Sequence, residues 1–174
     1  TYLRQLNQAE IDKLETEDER LALLCNAYNA FVVHGVISHD ITDNVMKYEA
    51  PNGKGFFDVE EHILGGETMS LNHLEHGIIR VEYDEPRIHM ALVCAAISCP
   101  AIRPEAYVGA HLDRQLEDQA VQFANNPNHV SVENNGDVVE LSAILKWYGQ
   151  DWGSQDGYLE FLEERAKDED VRQA

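Results

Sequence analysis

The sequence predicts an α+β fold, on three observations. One long stretch repeats apolar residues every three or four positions, as an amphipathic helix does. Two short β-prone runs flank Asn134-Asn135-Gly136-Asp137, a strong hairpin signal. Helical and strand patterns follow one another without the βαβ alternation that a parallel sheet requires. With 174 residues the chain has the size of a single domain, 1–174. The expectation is several helices packed on a small, mainly antiparallel sheet.

Taken in order, Gln8 to Thr16 reads as a short acidic helix. A long helix of about 19–37 follows, carrying Leu21, Leu24, Cys25, Tyr28, Phe31, Val32 and Val36 on its inner face. Residues 50–55 hold Pro51, Gly53 and Gly55 and read as a loop. Phe56 to Val59 and Thr68 to Leu71 are expected as short strands around the Gly65-Gly66 turn. Ser70 can cap a helix of about 71–80, with Leu71, Leu74, Ile78 and Val81 inward. The apolar run from Arg87 to Ala96 reads as a buried strand, although periodicity alone leaves helix open. Residues 110–125 make another helix with Leu112, Leu116, Ala120 and Phe123 on one face. Val130 to Glu133 and Val138 to Leu141 form the hairpin, Ser142 caps a helix through Tyr148, and Tyr158 to Ala166 is the last helix. The acidic tail after Lys167 is expected to fray.

Composition narrows the partners. Hydrophobic residues at 44% and charged residues at 26% describe a globular chain. A domain of this length buries roughly 70% of its unfolded surface, so it needs neither disulfide nor metal to fold. Thirteen basic against 32 acidic residues give a net charge of -19. Such a field repels nucleic-acid phosphates and anionic membranes and favours cationic partners. With only five lysines, the pattern is also compatible with a halophilic protein, since high salt screens surface repulsion. No run approaches 18 apolar residues, so no membrane insertion is expected. There is no signal peptide, but the chain begins at Thr1, so the compartment stays open between exported and cytoplasmic. Nothing in the sequence speaks to oligomeric state. Three cysteines, Cys25, Cys94 and Cys99, do not make a disulfide framework, although Cys94 and Cys99 are close enough to pair.

The chain lacks a phosphate loop, a dinucleotide fingerprint and an HExxH motif, and no cofactor is expected. Chemistry-bearing residues gather instead between His73 and Arg103. Cys99 precedes Pro100, which favours the first position of a helix. As N-cap, Cys99 would be held as a thiolate by the helix dipole and free N–H groups, a nucleophile for hydrolysis or acyl transfer. Against this stands a plain turn after a strand. His89, on the run leading to Cys99, is either a satisfied core histidine or the general base. Strict alternation sends Cys94 to the opposite face from His89, into the core. Glu75 and His76 are candidates for the orienting group. His76 and Arg80, four apart, share a face that is either a cleft or solvated surface. Arg80 and Arg87 could hold an anionic substrate end. A zinc site from His73, His76, Cys94 and Cys99 lacks the tight ligand spacing of structural zinc, so no metal is expected. Asn26 and Asn29 are costly inside a helix unless their amides find partners. They would tie the helix to a loop or, with Tyr28, line a ligand site.

Several of these segments also resemble the domain of unknown function 547 family. They are Asn26–Ala30, Ser70–Arg80 and Glu85–Pro100, continued by Ala106-Tyr107, Leu112–Leu116, Ser142, Trp147-Tyr148 and Asp151-Trp152. Glu85 is a conservative departure, since the family more often has Asp before the proline. The resemblance covers nearly the whole chain. It implies a protein type spread across bacteria, archaea, plants and animals, often exported in bacteria. It implies that the His89 and Cys94 positions persist more widely than Cys99, where plant members have Ser. A distant papain-like or transglutaminase-like fold is a further implication. The expected functions are a cysteine-dependent hydrolase or acyl transferase acting on a peptide or small amide, a non-catalytic binding module for a peptide, small molecule or thiol, or a metal-binding or purely structural domain.

Overall fold

Thr16 opens the central element. Its hydroxyl accepts from the Glu19 amide (3.1 Å) while the Glu19 carboxylate accepts from the Thr16 amide (3.2 Å), a reciprocal capping box. The helix it starts, α2 (Glu17–Ser38), buries Leu21, Leu24, Cys25, Tyr28, Phe31 and Val32. By length and composition α2 is apolar enough to cross a membrane, contrary to the expectation from apolar runs. Over half of that window, 56%, is buried inside the protein. The structure is a computed structural model that describes residues 1–95, 99–133 and 138–167.

Ahead of α2 lies α1 (Tyr2–Asn7), followed by a 3-10 turn at Ile11–Lys13. The acidic helix expected over 8–16 is therefore one turn, and the helical segment sits earlier. Thr16 must be extended to cap α2 (φ -116°, ψ 155°), so a helix cannot run into it. Leu6, buried, anchors α1, and its carbonyl accepts from the Gly65 amide (2.9 Å).

Gly65 and Gly66 have φ of +60° and +85°, the two positive dihedrals of a two-residue hairpin turn. They join β1 (His62–Leu64) to β2 (Glu67–Met69) with Ile63 opposite Thr68. The expected strand at 56–59 is a turn instead, in which the Asp58 and Val59 amides both donate to the Gly55 carbonyl. Phe56 is buried beneath Gly35, where a Cβ would stand 2.9 Å from its ring.

Ser70 caps the next helix through its hydroxyl, which accepts from the His73 amide (3.1 Å). This helix runs as a π-helix over His73–Ile79 and regains α geometry in α3 (Arg80–Glu82). The expected buried strand at 87–96 is overturned: α4 (Ile88–Ala91) is helical, and Leu92 turns extended (φ -87°, ψ 124°). Pro86 presets the first turn, and the Glu85 carboxylate accepts from the Arg87 amide (3.1 Å). All four residues of α4 are buried, so no polar face betrays the helical period. The end of the expected run, at residue 96, lies outside the described residues.

A 3-10 turn at Gly109–His111 leads into α5 (Leu112–Ala124). The hairpin forms as expected from β3 (Val130–Glu133) and β4 (Val138–Leu141), with Val130 opposite Leu141. Its turn, at 134–137, lies outside the described residues, as does the expected frayed tail after Lys167. Ser142 caps α6 (Ala143–Tyr148), which continues as a 3-10 turn at Gly149–Trp152, and α7 (Gln155–Arg165) closes the described chain.

The fold is α+β, and among the described residues the strands are divided between two separate antiparallel ribbons with no common sheet. Two apolar clusters fill the interior. The larger gathers α1, α2, the β1–β2 ribbon and the π-helix; the smaller gathers α6, α7 and the β3–β4 ribbon. α5 and α4 serve both, Leu112, Leu116, Ile88 and Ala91 facing the first, Ala120, Phe123 and Met90 the second.

Candidate functional site

The π-helix, continued by α3, places Glu75, His76 and Arg80 beside Tyr148 of α6. Its wider turn leaves Gly77 beneath His73, where a Cβ would meet the ring nitrogen at 2.6 Å. Arg80 donates from Nε and Nη2 to Oδ2 and Oδ1 of Asp151 (2.8 and 2.7 Å), a bidentate pair. Its Nη1 donates to His76 Nδ1 (3.2 Å), and its guanidinium lies 4.9 Å from the centre of the Tyr148 ring. The predicted face of His76 and Arg80 is thus real, and it turns toward α6.

His89 joins the same carboxylate. Its Nε2 lies 2.7 Å from Asp151 Oδ2, and its ring stacks on Tyr148 at 4.1 Å with 12° between planes. Burial pushes the His89 pKa down, and Asp151 partly restores it. Arg80, the main cause, holds Asp151 below the usual carboxylate range. A neutral imidazole facing an ionised carboxylate must donate from Nε2, which leaves the lone pair on Nδ1.

Glu75 is 7% exposed, and its charge bears on the Tyr28 and Tyr148 hydroxyls. Burial first, and then Glu75, pushes Tyr148 up to about 12 and raises Tyr28 well above its usual value. Tyr28 therefore stands in the core, not on a ligand-facing wall. Sequence reasoning missed Asp151 and Tyr148, the two groups that assemble this cluster. The signal was present in Tyr148 and Asp151-Trp152, which belong to the motifs noted above.

The cysteine arrangement differs from the expectation. Cys99 and Cys94 form a disulfide, with Cα atoms 6.2 Å apart. Pro100 starts no helix, so Cys99 is not an N-cap, and the dipole argument for its thiolate falls. With α4 helical, the alternation that separated Cys94 from His89 does not apply either. Among the described residues no three His, Cys, Asp or Glu groups stand together as metal ligands.

The two asparagines act as substitute backbone. Asn29 donates to the Ala91 carbonyl and accepts from the Val93 amide, both at 2.9 Å. Asn26 does the same with both backbone groups of Tyr107, at 2.8 Å. Gln115 on α5 repeats the device with Val108 N and Ala106 O, while Gln119 donates from Nε2 to both Met90 O and Ala101 O. Arg87, a candidate for holding an anionic substrate end, is engaged by the chain's own carboxylates. It is clasped by Glu85, Asp113 and Glu117, and the Glu85 hydrogen bond, the main cause, pushes its pKa up.

Two concavities lie beside these groups. A groove of about 510 Å³ runs between the outer face of α2 and residues 102–107. Val33, Ile37 and Ile102 on its walls are 44%, 73% and 52% exposed. A smaller recess of about 360 Å³ opens outside the Arg80–Asp151 pair, among Tyr83, Asp84, Glu85 and Gln150.

No curated protein and no solved structure matches this chain. The family model described as "Protein of unknown function, DUF547" matches residues 11–124, from the first 3-10 turn to the end of α5. The match contains Asn26, Asn29, Glu75, Arg80, His89 and both bridged cysteines, and stops short of Tyr148 and Asp151. On that match, the chain belongs to the DUF547 family of proteins of unknown function.

Proposed function

We propose that this domain is a non-catalytic peptide-binding module that receives an apolar segment with basic flanks in the groove along α2. The exposed trio Val33, Ile37 and Ile102 around one concavity carries the reading, since apolar side chains gathered along a groove mark a binding site. The heads of Asn26 and Asn29 are engaged by the chain's own backbone. The groove then selects by shape and apolar contact, and the net charge of -19 draws in cationic flanks.

The test is fluorescence anisotropy with a labelled Leu-rich peptide flanked by lysines, against the natural chain and Ile37→Asp. The expected result is saturable binding that Ile37→Asp weakens by about tenfold, as for loss of an interface anchor. Equal binding by both proteins would show attraction by charge alone and refute the reading.

One observation favours a second reading. The buried His89–Asp151 pair is the arrangement that orients a general base, which supports cysteine-dependent hydrolysis or acyl transfer on a peptide or small amide. Cys99 would attack after reduction of its bridge, with Asp151 in the orienting role first considered for Glu75 or His76. Ester hydrolysis by the reduced chain, abolished in both Cys99→Ser and His89→Ala, is its measure. Equal rates in those variants would end it.

A further inference from the structure

The bridge between Cys94 and Cys99 sits between two clamps that do not depend on it. On one side Asn29 of α2 holds Ala91 O and Val93 N. On the other, Gln119 of α5 reaches Met90 O and Ala101 O through the same amide nitrogen. The chain on either side of the sulfurs is thus fixed to two helices by buried amides. Breaking the S–S bond would leave both cysteines near their present places, so the bond can close again without a search.

The bridge is also poorly suited to stapling the fold. It closes a separation of five residues, and the entropy a disulfide removes from the unfolded chain shrinks with loop length. A chain of this size has two apolar clusters to hold it. Next to Cys94, Ala95 has φ +57°, a left-handed conformation that strains a residue with a Cβ.

The two cysteines differ in exposure. Cys94 is half-buried and adjoins an exposed residue, while Cys99 is 9% exposed. The third cysteine, Cys25, is fully buried, and burial raises its thiol pKa to about 12, so it stays inert.

From this asymmetry we infer that Cys94–Cys99 is a thiol–disulfide exchange site, with Cys94 the sulfur attacked and a small thiol such as glutathione the reactant. The incoming thiolate bonds to Cys94 Sγ, the S–S bond breaks, and Cys99 leaves as a thiolate that takes a proton from water. A second thiolate then attacks the small molecule's sulfur in the mixed disulfide. It releases the oxidised small disulfide and leaves Cys94 as thiolate, also protonated from water. Two electrons and two protons end on the protein, and the oxidised small disulfide reverses both steps. This inference does not rest on the α2 groove, and it leaves open whether the reduced sulfurs do further chemistry.

The experiment equilibrates the folded chain across a series of reduced-to-oxidised glutathione ratios, quenches with acid, labels with maleimide and reads intact mass. The expected result is one transition from no label to two, with unchanged helical circular dichroism and no label on Cys25. In matched variants, oxidised glutathione forms a mixed disulfide, releasing one glutathione thiol, on Cys94 in Cys99→Ser at least tenfold faster than on Cys99 in Cys94→Ser. A bridge that stays closed across the series, opens only with loss of helical signal, or takes glutathione preferentially on Cys99 overturns the inference. The natural-chain series decides alone if a variant does not fold. Ile37→Asp should not move the transition, so failure here and failure of the groove are separable.

Discussion

Asn29 shows how one side chain can decide the shape of its surroundings. An asparagine in a buried helix loses unless its amide is satisfied, and here it replaces the partner strand that residues 91–93 lack. Asn29→Ala would leave Ala91 O and Val93 N unpaired and is expected to cost about 2–3 kcal/mol, read as a lower urea midpoint. That amides were needed was legible in the sequence; which backbone they would hold was not. His62 makes the second prediction at this scale. It stacks on Phe31 at 4.8 Å with Nε2 buried and unpartnered, and burial, opposed mainly by Glu61, lowers its pKa from 6.5 to about 4. Between those values the unfolded chain binds a proton that the folded chain refuses. Stability is therefore full above pH 6.5 and falls as pH drops toward 4. Buried His89 and His129, also lowered by burial, act in the same direction. Urea midpoints should decline between pH 7 and 4.5, with a shallower slope in His62→Phe; a flat profile would refute the assignment.

Four elements with one face in water were legible in the sequence. α2, α5, the β3–β4 hairpin and the α6 cap match their predicted places to within two residues. The run from Arg87 onward failed because α4 is buried all round, and an apolar string without a polar face fits a strand as well as a helix. The segment 8–16 failed because a cap needs an extended residue at Thr16. The π-helix left no signal of its own in the residue pattern. At Gly109 an element contact is exposed to test. A Cβ there would meet the Glu19 backbone nitrogen at 2.8 Å, so the 3-10 turn before α5 rests directly on the first turn of α2. Backbone cannot swing aside, so Gly109→Ala should lower stability by about 1–3 kcal/mol in chemical denaturation. An unchanged midpoint would mean that the two elements separate freely.

Across the molecule, the net charge of -19 opposes the compact state through self-repulsion, and the basic side chains offset it unevenly. Arg87, Arg103 and Arg165 each contact more than one carboxylate, which concentrates counter-charge around α5. Elsewhere single pairs such as Lys13–Glu10, Lys54–Glu60 and Arg80–Asp151 leave the remaining acidic groups to screening by salt. The melting temperature should therefore rise with potassium chloride from 0.05 to 2 M, roughly levelling once the Debye length falls to about 3 Å. A decline with salt would show that the arginine pairs outweigh the repulsion.

By itself the sequence determined the α+β class, the family, the helical and hairpin segments with a wet face, and the neighbourhood of the polar residues from 73 to 103. These follow from periodicity, turn chemistry and local spacing, which act over a few residues. Only the tertiary structure decided that His89 faces Asp151 across 62 positions, that Asn26 reaches Tyr107 across 81, and that Cys99 is bridged instead of capping a helix. Such partnerships depend on how buried faces meet, and an all-apolar surface carries no mark of which neighbour it will find.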